Sequence, residues 1–579
     1  MRRFPSPLSS CVRPLALAAL ALLLPAAALA QPANDAWANR EAIGSLPFAD
    51  TEAAVGAATV EATDPIVICR VGAASQGGNT VWYTYTTGPS TEYVNITTAG
   101  SSYDTMVSVY TGTPGAFELV AGGCNDDGIA AVFQSRVAGL RLLPNTTYSI
   151  EGARFSPSAA AATWTLNVTT SPVYGVTKTA DTADGVCDAD CSLREAVSAA
   201  NANPGAVLVP SGTYTLTIPG AGEDLNATGD IDILAVISWY MESVTTFVDG
   251  NGIERPLQID PATTNRVTAH IAGGTLRNGN VSGDGGGILL AAPNDYLVLE
   301  NVVISNNVAT GNGAGLRSAS RVTILNSTIS GNSAGGSGGG LSFSGGADTT
   351  VEVKSSTISA NQANSLSSGG GGGIHSTSRL RLENSTVSGN GAWFSGGGVF
   401  AGGTGSFEIR NSTIFNNSAE NNADGLGTGG GLRAESSSAA SVITNSVLSN
   451  NAQAGLPFLP NDCTQSGGTM TTSYNHVPVP GTCAFAGTGD VTSGSSSLAP
   501  LLSFNGGPTR THAVNPGSPL IDAGNPAGCT DYLGRVLPWD QRGAPYARTT
   551  DGNAPPAVCD KGAFEYLSTP AELTRFTAE

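Results

Sequence analysis

Residues 381–400 read RLENSTVSGNGAWFSGGGVF, and close variants flank them: ILNSTISGNSAGGSGGGLSF at 324–343 and EIRNSTIFNNSAE at 408–420. Aligned on the asparagine of N-S-T, the repeats form a column of Asn301, Asn326, Ser355, Asn384, Asn411 and Asn445, spaced 25 to 34 residues apart. Two residues earlier stand Leu299, Ile324, Val353, Leu382, Ile409 and Ile443; three residues later stand Ile304, Ile329, Ile358, Val387, Ile414 and Leu448. A second column of asparagine, six residues on, is unbroken: Asn307, Asn332, Asn361, Asn390, Asn417 and Asn451. Insertions vary while the frame holds, as expected when each repeat is one coil of a parallel β-helix whose equivalent residues stack at ~4.8 Å.

In that frame the aliphatic columns fill a core. Asparagine tolerates left-handed backbone and its amide both donates and accepts, so the second asparagine column is expected to mark a bend and form a ladder. Asn384 and its stacked partners are expected to share in such a ladder. Glycine clusters beginning at Gly285, Gly313, Gly338, Gly371, Gly396 and Gly429 each run into an aliphatic residue. They are expected to supply positive φ at the corner before the next strand. A phosphate-binding reading fails, because no helix follows and no lysine or serine stands at the required offset.

The chain has 579 residues and a net charge of −19, with lysine only at Lys178, Lys354 and Lys561, which argues against nucleic acid or anionic lipid as a partner. Residues 1–30 combine early arginines, an apolar run and an Ala28-Leu29-Ala30 pattern, the marks of a secretory signal peptide. No later apolar run is long enough for a membrane-spanning helix. Removing the leader takes Cys11 and leaves eight cysteines, an even number that favours disulfides in an exported chain. They fall in four well-separated couples, so sequential pairing is the simplest scheme: Cys69 with Cys124, Cys187 with Cys191, Cys463 with Cys483, Cys529 with Cys559.

Residues 31–170 carry short alternating segments such as VWYTYTT (81–87) and MVSVYTG (106–112), the pattern of an antiparallel sandwich. With NDAWANREAIGSLPF (34–48), SSYDTMVSVYTG and CNDDG (124–128), this region resembles the pre-peptidase C-terminal-like modules of secreted bacterial proteins. The resemblance implies an accessory or binding role. Asp104, Asp126 and Asp127 offer hard oxygen ligands suited to calcium; as turn residues they would instead bond to nearby backbone.

At 171–206 a linker leads into CSLREAVSAANANPG, where Ser192 and Glu195 have the spacing of a capping box. Leu193, Ala196, Val197 and Ala200 share one helical face, and Pro204-Gly205 ends the helix. A short helix with one apolar face suits the exposed end of a solenoid core. The stretch resembles the CSLREA region that precedes right-handed β-helices in exported bacterial proteins. The solenoid is then expected over 207–505. Beyond it, 506–579 is expected as a loop-rich cap tied by Cys529 and Cys559. From about Leu498, the segments LAPLLSFNGGPTRTHAVNPGSPLIDAGN, DQRGAPYA and KGAFEY resemble the choice-of-anchor Q region that closes such chains. Asp522 and Asp540 have no evident catalytic partner.

The fold class is therefore all-β: an antiparallel sandwich, a capping helix and a right-handed parallel β-helix. Alternation after each glycine cluster places Leu289, Arg317, Ser342, His375, Phe400 and Arg433 outward, and Glu435 is the only acid in this and the next outward column. Glycoside cleavage needs two carboxylates at a defined separation, so no catalytic residue is assigned. Arg317, His375, Phe400 and Arg433 are the candidate ligand residues, a ring and donors for a glycan. Lys354, Glu383 and Arg410 alternate in sign as a cross-strand ion ladder. The expectation is a secreted or cell-surface, non-catalytic, adhesin-like binding protein whose partner is an extracellular polysaccharide or surface glycan. The alternatives are a polysaccharide lyase or hydrolase on a β-helix and a structural spacer.

Overall fold

The computed structural model describes residues 31–567 except 71–75, 130–132, 159, 161, 262–265, 366–368, 423–424, 436–439, 454–458 and 549–557; the leader and the tail beyond 567 lie outside the described residues. Each repeat folds as a coil of four short strands, in the quoted repeat Ile374–Ser376, Arg379–Glu383, Thr386–Ser388 and Gly391–Ala392. Equivalent strands pair in parallel into sheets of eleven, nine, nine and eight strands, the last ending on an antiparallel strand, Leu459–Pro460. Register follows the sequence columns: Val353, Leu382 and Ile409 are successive partners, as are Ile358, Val387 and Ile414. All six are fully buried in one continuous core.

The two asparagine columns divide the roles that the sequence assigns to one. Left-handed backbone belongs to the first column, where φ lies between 48° and 54° from Asn301 to Asn445, and to the residue before the second column, such as Asn306, Gly389 and Asn416. The ladder belongs to the second column. Each Nδ2 from Asn307 to Asn417 donates to the Oδ1 of the next coil's asparagine at 2.9–3.0 Å, and Asn451 hands the last bond to Asp462 at 3.0 Å. Asn384 is therefore not a ladder residue. The N-S-T serines form a further ladder, in which the backbone N–H of Ser327, Ser356, Ser385 and Ser412 donates to the next serine's Oγ at 3.0–3.2 Å. At the glycine corners the first residue has φ of 64–71°. The third makes room for the ladder: a Cβ on Gly398 would lie 2.6 Å from Gly431 O and 3.0 Å from Asn417 Nδ2.

The helix spans Leu193–Ala202 and has the expected capping box, with Ser192 N–H donating to Glu195 Oε2 at 2.7 Å and Glu195 N–H to Ser192 Oγ at 3.2 Å. Leu193, Ala196, Val197 and Ala200 join the solenoid core. Arg194, 1% exposed, fixes the helix through Asp181 at 2.8 Å and the carbonyls of Asp230 and Gly229.

Before the helix stands a sandwich of a five-stranded and a four-stranded sheet. It departs from the antiparallel expectation at one strand, Glu41–Ile43, which runs parallel to Gly78–Thr86. The strand Arg136–Leu142 lies on the solenoid, where Ser238 Oγ donates to Ala138 O at 2.8 Å, Tyr240 OH donates to Gly139 O at 3.0 Å and Arg141 N–H donates to Tyr240 OH at 2.8 Å.

The C-terminal region runs along the solenoid flank. The end of the core is covered by Val477, Cys483 and Phe485, whereas the later segment docks on the strands that follow the N-S-T corner. These strands present a row of outward hydroxyls, which bond both backbone and side-chain groups of the segment. Thr357 Oγ1 donates to Arg510 O at 2.6 Å, Thr386 Oγ1 to Gln541 Oε1 at 2.6 Å, and Ser388 Oγ meets His512 Nε2 at 2.7 Å. Disulfides join Cys69–Cys124, Cys187–Cys191, Cys463–Cys483 and Cys529–Cys559, the sequential scheme. Among the described residues no helix is long and apolar enough to cross a membrane.

Candidate functional site

The expected ligand residues do meet. Strand register sets Arg317, Ser342, His375, Phe400 and Arg433 side by side on successive coils. Their rings and donors, however, are largely engaged by neighbouring side chains. The His375 and Phe400 rings stack at 5.1 Å and 16°, and Phe400 is only 5% exposed. Arg317 is paired with Asp284 at 3.2 Å, and Arg433 with Glu435 at 2.6 Å and Thr428 at 2.7 Å. Burial, then the neighbouring Arg317, lowers the His375 pKa to about 4, so the ring is neutral at pH 7. Where the sequence pointed to an open stacking platform with free donors, the structure holds a covered stack. The cause is lateral crowding: at the strand spacing, aromatic side chains on adjacent coils pack face to face.

Asp104, Asp126 and Asp127 also come together, each offering a carboxylate oxygen within 4.8 Å of the others. Asp104 precedes the strand Thr105–Thr111 and the other two follow Glu118–Asn125. Asp127 is ion-paired with Arg266 of the solenoid, and Asn125 Nδ2 donates to Thr268 Oγ1 at 2.8 Å, which puts the cluster at the junction of the two bodies. Burial, then Asp126, raises the Asp104 pKa to about 6. The three acids would supply three oxygens of the roughly six to eight that calcium takes, and Arg266 already neutralises part of their charge.

The ion ladder is present but shifted. Lys354 pairs with Glu383 at 3.1 Å as expected, whereas Arg410 turns to Glu408 on its own strand at 3.4 Å. A second ladder lies one outward position earlier, Glu352 to Arg381 at 2.8 Å and Arg381 to Glu408 at 3.6 Å. Alternation along E-V-K, R-L-E and E-I-R would have revealed it in the sequence. Burial opposes the charge of Lys354, but Glu383 and Glu352 outweigh it and hold its pKa above the ordinary value. Over the ladders lies Tyr532 of the C-terminal region, with the Arg381 guanidinium 3.7 Å from its ring centre and its N–H donating to Glu383 Oε2 at 3.2 Å. Nothing local marks Tyr532, because it arrives from 149 residues away.

Between these ladders, the sandwich and the segment 531–538 opens a cleft of about 920 Å³. Phe117 and Leu119 line it from the sandwich, Thr323, Glu352 and Lys354 from the solenoid, and Tyr532, Val536 and Pro538 from the C-terminal region. Asp540, in contrast, is buried against Arg542 at 2.7 Å.

A family model described as a right handed beta helix region matches residues 286–497. With the stacked parallel coils, this makes the solenoid a right-handed parallel β-helix. No curated protein matches it. Solved structures it is similar to include the catalytic domain of a GH87 alpha-1,3-glucanase in complex with tetrasaccharides, at 12% identity and a TM-score of 0.20 over 69% of this chain and 86% of that one. The Agl-KA catalytic domain is similar at 11% identity and 0.17, over 74% and 91%. At these scores neither likeness carries chemistry across.

Proposed function

We propose that this is an exported, non-catalytic binding protein, adhesin-like, whose ligand is an extracellular glycan. The observation that supports this most is the pairing of the acids on the solenoid flank: Glu352 with Arg381, Glu383 with Lys354, Glu408 with Arg410 and Glu435 with Arg433. Glycoside cleavage needs one carboxyl able to hold a proton beside a second that is ionised and free to attack or to activate water, whereas each of these four carboxylates is already engaged by an arginine or lysine. Four disulfides suit an oxidising, extracellular setting.

In this reading residues 1–30 are removed on export. The sandwich at 31–170 is an accessory module of the pre-peptidase C-terminal-like kind, 171–206 is a CSLREA-type cap, 207–505 is the solenoid and 506–579 is a choice-of-anchor Q-like closing region. The test is to incubate the mature chain with neutral and uronate polysaccharides, with and without calcium, and to assay both binding and new reducing or unsaturated ends. Binding without new ends is expected. Turnover that is lost in Glu435→Gln or Glu352→Gln would overturn the reading in favour of a polysaccharide-active enzyme.

A further inference from the structure

We infer that the cleft between the sandwich, the solenoid flank and the C-terminal segment is the ligand site, and that it takes an uncharged oligosaccharide. This rests on the binding reading above. At about 920 Å³ the cleft lies within the roughly 300–1,000 Å³ of small-ligand sites. It is preformed, because each wall is fixed from behind. Phe117 stacks on Trp82 at 5.3 Å and 12°, and its carbonyl accepts from Arg535 Nη1 at 3.2 Å across the cleft mouth. Opposite, the Tyr532 ring is held by Arg381. The rim is apolar and open to solvent at Val536, 55% exposed, and at Pro538.

The floor sets the ligand's charge. Thr323 pairs with Glu352, and Leu325 with Lys354, on adjacent coils, so polar groups recur at the strand spacing of ~4.8 Å. The charges among them are already matched: Lys354 to Glu383, Glu352 to Arg381, and Asp531 to Arg535 at 2.7 Å. A uronate would have to break one of these pairs and leave its partner buried and unmatched, which is costly, and it would also meet the lining acids Asp64 and Glu118. A neutral sugar breaks none. Its hydroxyls meet carboxylate acceptors and the ammonium donor, and its C–H faces meet the exposed Val536 and Pro538.

The test uses the mature chain in calorimetric titrations with neutral gluco-, manno- and xylo-hexaoses, and with hexagalacturonate and an oligolysine peptide as charged probes. Val536→Arg and Pro538→Arg alter only exposed positions, so their melting temperatures serve as folding controls. At least one neutral hexaose is expected to bind, to weaken about tenfold or more in Val536→Arg, and to bind unchanged in Leu225→Arg, an exposed position outside the cleft lining. Neutral binding that survives both rim variants overturns the cleft but not the binding reading. Binding of a charged probe in place of every neutral one, abolished by the rim variants, overturns the ligand class. Failure of all probes to bind overturns both proposals.

Discussion

Asn390 Nδ2 donates to Asn417 Oδ1 at 2.9 Å, and the backbone N–H of Asn390 reaches the same oxygen at 3.0 Å. One buried amide thus closes two bonds to the coil that follows. Its own Oδ1 receives the same pair from Asn361, at 3.0 Å each.

Asn390→Leu should therefore cost about 3 kcal/mol or more, since it strands the two Asn361 donors in the core at roughly 1–3 kcal/mol apiece. Gly398→Ala should also destabilise, by about 1–3 kcal/mol, because the new methyl meets backbone and the ladder amide. Chemical denaturation at constant m-value measures both. An Asn390→Leu midpoint equal to wild type would show that the amides are not a ladder.

The solenoid was legible because its constraints are periodic: a column of six aliphatic or amide residues survives insertions that hide any single coil. The capping helix was legible because S-x-x-E is local. Asn384 shows where periodicity misleads. Being asparagine in a column is compatible with left-handed backbone or with a ladder, and only the corner geometry separates the two; Asn384 has φ of 53°, donates to Trp539 O at 3.3 Å and accepts from Arg548. The flank docking and the cleft were not legible at all, since Tyr532, Phe117 and Glu352 come from three separate parts of the chain and share no spacing.

His375 should make stability fall as acid is added. Its folded pKa, lowered to about 4 by burial and then by Arg317, lies below the ordinary 6.5, so the unfolded chain binds the proton first. The neutral ring's contribution is complete above about pH 6.5 and is lost as pH falls towards 4, at most about 3 kcal/mol. Buried acids titrate in the same range, so the comparison is with His375→Gln. The stability difference between the two proteins should shrink by about 2–3 kcal/mol from pH 7 to pH 4; a constant difference would refute the shift.

Asp104 gives a test with two signs. Burial, then Asp126, raises its folded pKa to about 6, so ionising it costs stability as pH rises from about 4 to 6. In chelator at pH 7, Asp104→Asn should gain about 1 kcal/mol after allowance for solvent screening, and the gain should fade as pH falls towards 4. If the cluster holds calcium, millimolar calcium reverses the order of the two melting temperatures. An order unaffected by calcium assigns the three acids to the contact with Arg266 instead.

Gln541 decides whether the flank segment is a fixed part of the molecule. Its side chain is fully buried; Nε2 donates to Thr357 Oγ1 at 3.0 Å and Thr509 Oγ1 at 2.9 Å, and Oε1 accepts from Thr386 at 2.6 Å. Gln541→Ala leaves the buried Thr386 hydroxyl without its acceptor, removes one bond each from Thr357 and Thr509, and opens a void, at a cost of about 2–4 kcal/mol. The coils keep their own ladders, so the loss should be local. Limited proteolysis should cut within 498–566 faster in the variant while 286–497 stays protected, and Tyr532, carried on the same segment, should leave the cleft. Glycan affinity should then fall together with protection. Protection lost with affinity unchanged would place the ligand on the solenoid without help from the C-terminal region.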